Sequence, residues 1–273
     1  MKKLLLSVAA LAVLFTACKD DDANPAPQPT KLFLDLVRGN DTITVTYNAS
    51  KKIALYSYLD ARGAGRSYYN EPVYENNRIV KINSADESPT ALLLAQSFDY
   101  NAAGNIERTK FYDDDGTIYR YDSVAYDNAG RLSALYASEE GKGGIATLAF
   151  NEKYAFVWDN KGNITKQYVM EIVDGVETKD TVTTTYTYDD KVNYGAKQNE
   201  FYLMEFEGPA FGLSVNNILT EKTVYDDGTE EYTYEYTYDE DNYPVTIKTT
   251  SKYNRNGTND TRVEDTKIRY IKK

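Results

Sequence analysis

The residues of this chain that could do chemistry are chiefly its acids. Its 273 residues include 42 Asp and Glu, no histidine and a single cysteine, Cys18. Without histidine there is no Ser–His or Cys–His nucleophilic pair, no His-ligated zinc or iron, and no ordinary general base near neutral pH. No G-x-x-x-x-G-K-[ST] loop and no strand–GxGxxG–helix unit is present, so nucleotide binding has no motif to rest on. Two carboxylates suffice for glycoside hydrolysis, and Asp-rich turns supply hard oxygens for calcium. Yet Asp113, Asp114, Asp115, Asp226, Asp227 and Asp239 all stand in repeated turn-like segments, where turn geometry already accounts for them. The Asp113–Gly116 run cannot follow the EF-hand order, because a glycine at the sixth loop position would put Phe111 at the first. A carboxylate hydrolase is thus the least favoured function, and no cofactor is expected.

Those turns recur. Segments reading aromatic, Asp or Asn, two further residues, then Gly and an aliphatic residue begin at Tyr100 (YNAAGNI), Tyr126 (YDNAGRL) and Trp158 (WDNKGNI). Shorter relatives begin at Tyr112 and Tyr225, looser ones at Tyr47, Tyr74, Tyr188, Tyr238 and Tyr253. Tyr74 to Tyr100 and Tyr100 to Tyr126 are each 26 residues, and Tyr112 nearly bisects the second interval. Asp or Asn opens a turn by bonding its own backbone two residues on, and Gly takes the left-handed position that ends a hairpin loop. Between turns the pattern alternates with period 2, as in Tyr232, Tyr234, Tyr236 and Tyr238 against Glu231, Thr233, Glu235 and Thr237. That is the pattern of a strand with one buried and one wet face. Trp158, the only tryptophan, reads as a core anchor at the repeat's aromatic position.

The 26 tyrosines against nine phenylalanines suggest a thin, one-sided core in which each ring is buried and its hydroxyl reaches water. An aromatic platform for sugars is the alternative, but cross-strand aromatic ladders stabilise sheets in their own right. The expected fold is all-β, a curved and extended antiparallel meander of hairpins, as a half-barrel or rolled open sheet. The irregular stretch from Glu205 to Asn217 reads as a loop with at most a short helix.

The N-terminus bears on location. Lys2 and Lys3, an apolar run of 12 residues from Leu4 to Phe15, and Thr16-Ala17 make a secretory signal over residues 1–17. The run is shorter than the about 20 residues a membrane span needs. With Cys18 directly after it, the segment resembles a bacterial lipoprotein signal, which implies lipidation of Cys18 and a lipid anchor in the membrane. Lys19-Asp20-Asp21-Asp22 resembles the acidic export tag of Bacteroidetes surface lipoproteins, implying outer-membrane, cell-surface display. Residues 18–30, with alternating prolines, form an extended tether that gives about 40 Å of stand-off, and residues 31–273 form one β domain. A net charge of −11 with no basic cluster excludes nucleic acid as a partner.

The Y-D-x-x-G-[RN]-[IL] copies resemble the YD repeats of large bacterial and animal surface proteins, whose hairpins build a curling sheet. Tyr186 to Tyr194, the break, Asn216-Asn217-Ile218, and Tyr236 to Pro244 together resemble an uncharacterised lipoprotein family of Bacteroidetes, over about residues 45–250. That resemblance brings no catalytic or binding residue. Asp41-Thr42-Ile43, Asp122-Ser123-Val124 and Asp180-Thr181-Val182 fit the triplet that is O-glycosylated in exported Bacteroidetes proteins, making Thr42, Ser123 and Thr181 candidate acceptors. The expected function is a non-enzymatic surface lipoprotein that binds a glycan or an envelope protein. The alternative is a spacer of an outer-membrane complex with no small ligand.

Overall fold

A computed structural model describes residues 31–60, 67–138, 149–198, 200–204 and 208–272. Cys18, the signal and the tether lie outside them. The first eight strands are β1 Lys31–Arg38, β2 Asp41–Tyr47, β3 Ile53–Asp60, β4 Tyr68–Glu75, β5 Arg78–Asp86, β6 Leu93–Tyr100, β7 Ile106–Tyr112 and β8 Ile118–Tyr126. The second eight are β9 Leu132–Ser138, β10 Phe150–Trp158, β11 Ile164–Val173, β12 Val176–Tyr188, β13 Ile218–Tyr225, β14 Gly228–Tyr238, β15 Pro244–Arg255 and β16 Thr258–Lys272. Each pairs antiparallel with its neighbours in sequence, and β1 pairs with β16 from Lys31↔Lys272 to Arg38↔Thr266.

The sheet is therefore a closed barrel of sixteen strands, which corrects the open half-barrel or rolled sheet expected from the repeats. Closure needs a consistent bend, and the repeat supplies it. A register shift sits at the aromatic residue that begins most of these turns, at Tyr47, Tyr74, Tyr100, Tyr126, Trp158 and Tyr188 among them, while Tyr225 and Tyr253 pair without one. A bulge bends its strand and increases local twist, so successive hairpins curve the same way until β16 meets β1. The seam is fastened by the Asp35 carboxylate on the Arg269 guanidinium and by Lys31 Nζ, 2.7 Å from Asp239.

The turns are built as their residues dictate. At 127–131, the Asp127 Oδ1 accepts the amides of Ala129 and Arg131, each at 2.9 Å, and Gly130 sits at φ +75°. The same Asx geometry recurs at Asn101, Asp159 and Asp239.

The aromatic of several repeats has a second task. At the open base of its hairpin it donates to a carbonyl at or near the start of the preceding strand, at 2.5–3.1 Å: Tyr74 to Ile53, Tyr100 to Ile79, Tyr126 to Ile106 and Tyr188 to Ile164. Tyr47, Tyr236 and Tyr270 do the same for Phe33, Ile218 and Pro244. Trp158, the expected core anchor, performs this role with its indole N–H, 2.7 Å from the Leu132 carbonyl. These hydroxyls do not reach for water, as a thin sheet would require. They satisfy the backbone acceptors that the bulges leave out of the ladder.

The segment between β12 and β13 is longer than the break expected at Glu205–Asn217. It leaves the sheet at Asp189, where its opening imitates an ordinary turn. It contains a 3-10 turn, Gly195–Lys197, and two short helices, α1 Glu200–Met204 and α2 Gly208–Leu213. Tyr194, Phe201 and Met204 are buried against Phe33, Tyr56 and Ile82 of the wall, so this insert plugs one end of the barrel.

Wall polarity follows from the pairing. One outward row across β10–β16 reads Val157, Lys166, Thr185, Lys222, Glu231, Lys252, Thr261. Another across β6–β12 reads Asp99, Arg108, Ser123, Tyr136, Lys153, Met170, Thr181. The inward row Val124, Leu135, Tyr154, Val169, Val182 is apolar and aromatic. The outward rows named carry charged and polar residues, while a further outward row, Ala125, Ala134, Ala155, Tyr168, Thr183, Val224, is mostly small or apolar. The lumen mixes aromatic rings with inward charges such as Asp122 and Glu221.

Candidate functional site

The lumen above the plug is the candidate site. The plug is fixed to the wall on three sides. Gln198 accepts the Phe33 amide at 3.0 Å and donates to the Tyr47 hydroxyl at 2.9 Å, filling the bulge in β1. Asn70 of β4 donates to the Met204 carbonyl at 3.4 Å. Ser214 accepts the Ile164 amide at 3.1 Å, and Asn163 and Asn216 bond reciprocally. Inside the plug, buried Asn193 donates to the carbonyls of Phe211 and Ser214 and accepts the Gly195 amide. A segment this short in helix has little stability of its own; burial and these bonds hold it.

Two chambers lie above. The first, about 750 Å³, is walled by β6–β13 and floored by Tyr202, Met204 and Pro209. The second, about 980 Å³, is walled by β13–β16, β1 and β2 and floored by Tyr194 and Phe211. Tyr186, Ala210, Glu221, Thr223 and Tyr225 border both, so the chambers adjoin.

In the first chamber Arg120 grips Asp122 with two bonds, Nε–Oδ1 at 2.8 Å and Nη2–Oδ2 at 3.0 Å. Burial still holds Asp122 above the usual carboxylate range against that pull. Burial, and then its hydroxyl's bond to Glu152, pushes Tyr154 up to about 12. Tyr202 is raised further, by burial foremost. Both tyrosines stay un-ionised at neutral pH, and Asp122 is matched by the opposing charge of Arg120.

In the second chamber the ladder anticipated from alternation is present. Tyr232, Tyr234, Tyr236 and Tyr238 stack with centroids 6.4, 6.4 and 5.8 Å apart. The first three line the chamber and are half-buried.

The other sequence candidates fall elsewhere. Thr42, Ser123 and Thr181 sit on the outward face, paired with Val37, Tyr136 and Met170. Asp113, Asp115 and Asp227 serve turns and their flanks: Asp113 and Asp115 accept the Thr117 amide, and Asp227 binds Arg255. Among the described residues no group of three or more acids or other ligands is placed to hold a metal ion. Arg120, Glu221 and Glu264 escaped the sequence reading, and Asp122 entered it only as the first residue of a glycosylation triplet. Their signal was parity, since each is a charge on the same alternation as buried rings and aliphatics.

No protein-family model and no curated protein matches the sequence. Among solved structures, the chain is similar to a porin-like protein from Bacteroides uniformis ATCC 8492, with TM-score 0.57 and 16% identity over 90% of this chain and 98% of that one. A porin-like protein from Bacteroides vulgatus ATCC 8482 aligns with TM-score 0.37 and 11% identity over 88% of this chain and 99% of that one. The TcdB2–TccC3 structure aligns with TM-score 0.31 and 12% identity over 82% of this chain and 13% of that one. The Bacteroides uniformis likeness shows a shared barrel fold. The lipoprotein and YD-repeat resemblances rest on the sequence motifs.

Proposed function

We propose that this protein is a non-enzymatic binding lipoprotein of the outer membrane, tethered through lipidated Cys18, whose barrel stands outside the bilayer at the cell surface and holds a glycan in its lumen. The observation that carries this reading is the polarity of the wall. A transmembrane barrel is apolar on its outer face, whereas here lysines and acids stand on outward rows, and the lumen carries a tyrosine ladder alongside its charged groups. Among the described residues no helix is long and apolar enough to cross a membrane. A plugged, aromatic-lined cup of this volume fits the general form of a ligand site, for which about 300–1,000 Å³ is typical. Tyrosine faces offer sugars stacking area that turn acids cannot.

The test is calorimetry on neutral oligosaccharides selected from a glycan array, with Tyr232→Ala as the variant. Tyr232 is half-buried and stands at the end of the ladder, so its loss should weaken binding up to about tenfold while leaving the fold intact. No product should be released across about pH 4–8, since nothing but a carboxylate pair could act there. Failure of every glycan, with an envelope protein co-purifying, would favour the spacer alternative. Thr42, Ser123 and Thr181 remain proposed glycosylation acceptors on the solvent face. Intact mass of protein from its native host should exceed that of the lipidated polypeptide; an unmodified mass removes the proposal.

A further inference from the structure

The two chambers differ in chemistry. The first is bounded by the continuous apolar band of Val124, Leu135, Tyr154, Val169 and Val182, with Phe156 beside it. Its Arg120–Asp122 pair is internally neutralised, and its remaining charge, Glu221, stands at the border with the second chamber. Gln96, Thr109 and Gln167 also line this chamber, but a sugar lying along the apolar band would surrender hydroxyl hydration without partners there, at a cost for each unmatched group. An alkyl chain along the band has no hydration of its own to lose and removes apolar wall from water.

The second chamber is the converse. Opposite Tyr232 and Tyr234 stand Ser251 and Thr249. Its charged lining comprises Asp41, Glu221, Glu230 and Glu264 against Arg38 and Arg262, an excess of acid. Carboxylates accept from sugar hydroxyls and repel phosphate or carboxylate headgroups. The shared border at Tyr186, Ala210 and Glu221 makes the two spaces neighbours within one lumen.

From this pairing we infer that the ligand is a neutral amphiphile, a glycoside bearing an alkyl or acyl chain, with the chain in the first chamber and the sugar on the tyrosine ladder of the second. The inference rests on the glycan-binding reading above and adds the tail to it.

The experiment compares three probes on the full-length protein by calorimetry: dodecyl maltoside below its micelle concentration, maltose, and dodecanoate. Dodecyl maltoside should bind about tenfold or more tighter than maltose, and dodecanoate should bind more weakly than the glycoside because the acids repel its head. Val169→Trp fills the first chamber, and it should bring the glycoside down to the affinity of maltose without changing maltose binding. Val182→Trp, filling the same space from the next strand, provides the same readout where the first variant melts early. Equal affinity for maltose and dodecyl maltoside overturns the amphiphile and leaves the glycan reading standing. Dodecanoate binding as tightly as the glycoside, with maltose silent, overturns both, as does silence from all three probes.

Discussion

Phe201→Ala is expected to cost about 3–5 kcal/mol, the range for emptying a fully buried aromatic site. Phe201 is 1% exposed and lies edge-on to Phe33, Tyr56 and Tyr194 at centroid distances of 5.1, 6.4 and 6.1 Å. It joins the plug to β1 and β3 at once, so its removal opens a cavity that neither side can close alone. The five-residue α1 cannot compensate, because a helix of that length depends on tertiary packing. Denaturant unfolding should show the loss as a lower midpoint with an unchanged slope. Phe201→Leu, which keeps most of the volume, should cost markedly less. A loss below about 1 kcal/mol, the ordinary effect of a point change, would mean that the plug contributes little to the core.

That the plug matters so much was not evident from its residues. Tyr188-Asp189 carries the same signature as Tyr126-Asp127, and Asn217-Ile218 resumes the repeat as Arg131-Leu132 does. The insert is one turn of the repeat expanded between those two points, and the local pattern does not mark where the expansion starts. Alternation and turn chemistry, by contrast, are properties of neighbouring residues. The parity of Tyr232 to Tyr238, the left-handed Gly130 and the Asx turns at Asp127 and Asp239 were therefore readable directly. Closure is of another kind. The partner of Lys31 is Lys272, and no short-range pattern states that the ends meet. The bulges that bring them together were visible only as aromatic positions, and the donation from Tyr74 to Ile53 only as an excess of tyrosine over phenylalanine.

The secreted chain from Lys19 to Lys273, carried behind an ordinary cleavable signal and lacking Cys18, should be recovered in the soluble fraction without detergent. The reasoning is a comparison of magnitudes. Lysine on the lipid face of a transmembrane barrel costs about 2–4 kcal/mol near the midplane and less toward the interfaces. The outward rows of this wall carry Lys153, Lys166, Lys222, Lys248 and Lys252 together with Glu231, Glu235 and Asp265. Several such penalties acting at once exceed the whole stability of a typical domain, about 5–15 kcal/mol. Among the described residues the exposed valines of this side, Val157, Val224 and Val263, stand beside Lys166, Thr183 and Thr250. The native chain, with Cys18, should pellet with membranes and leave them only in detergent, because lipid then supplies the entire attachment. The two chains, with and without Cys18, separate the two routes. A Cys18-free chain that stays in membranes through alkaline and high-salt washes would require the wall itself to be in lipid, and the lumen would then have to be read as a conduit. Its release into buffer, with β-sheet signal and thermal midpoint unchanged, leaves the barrel as a vessel held beside the bilayer by its tether.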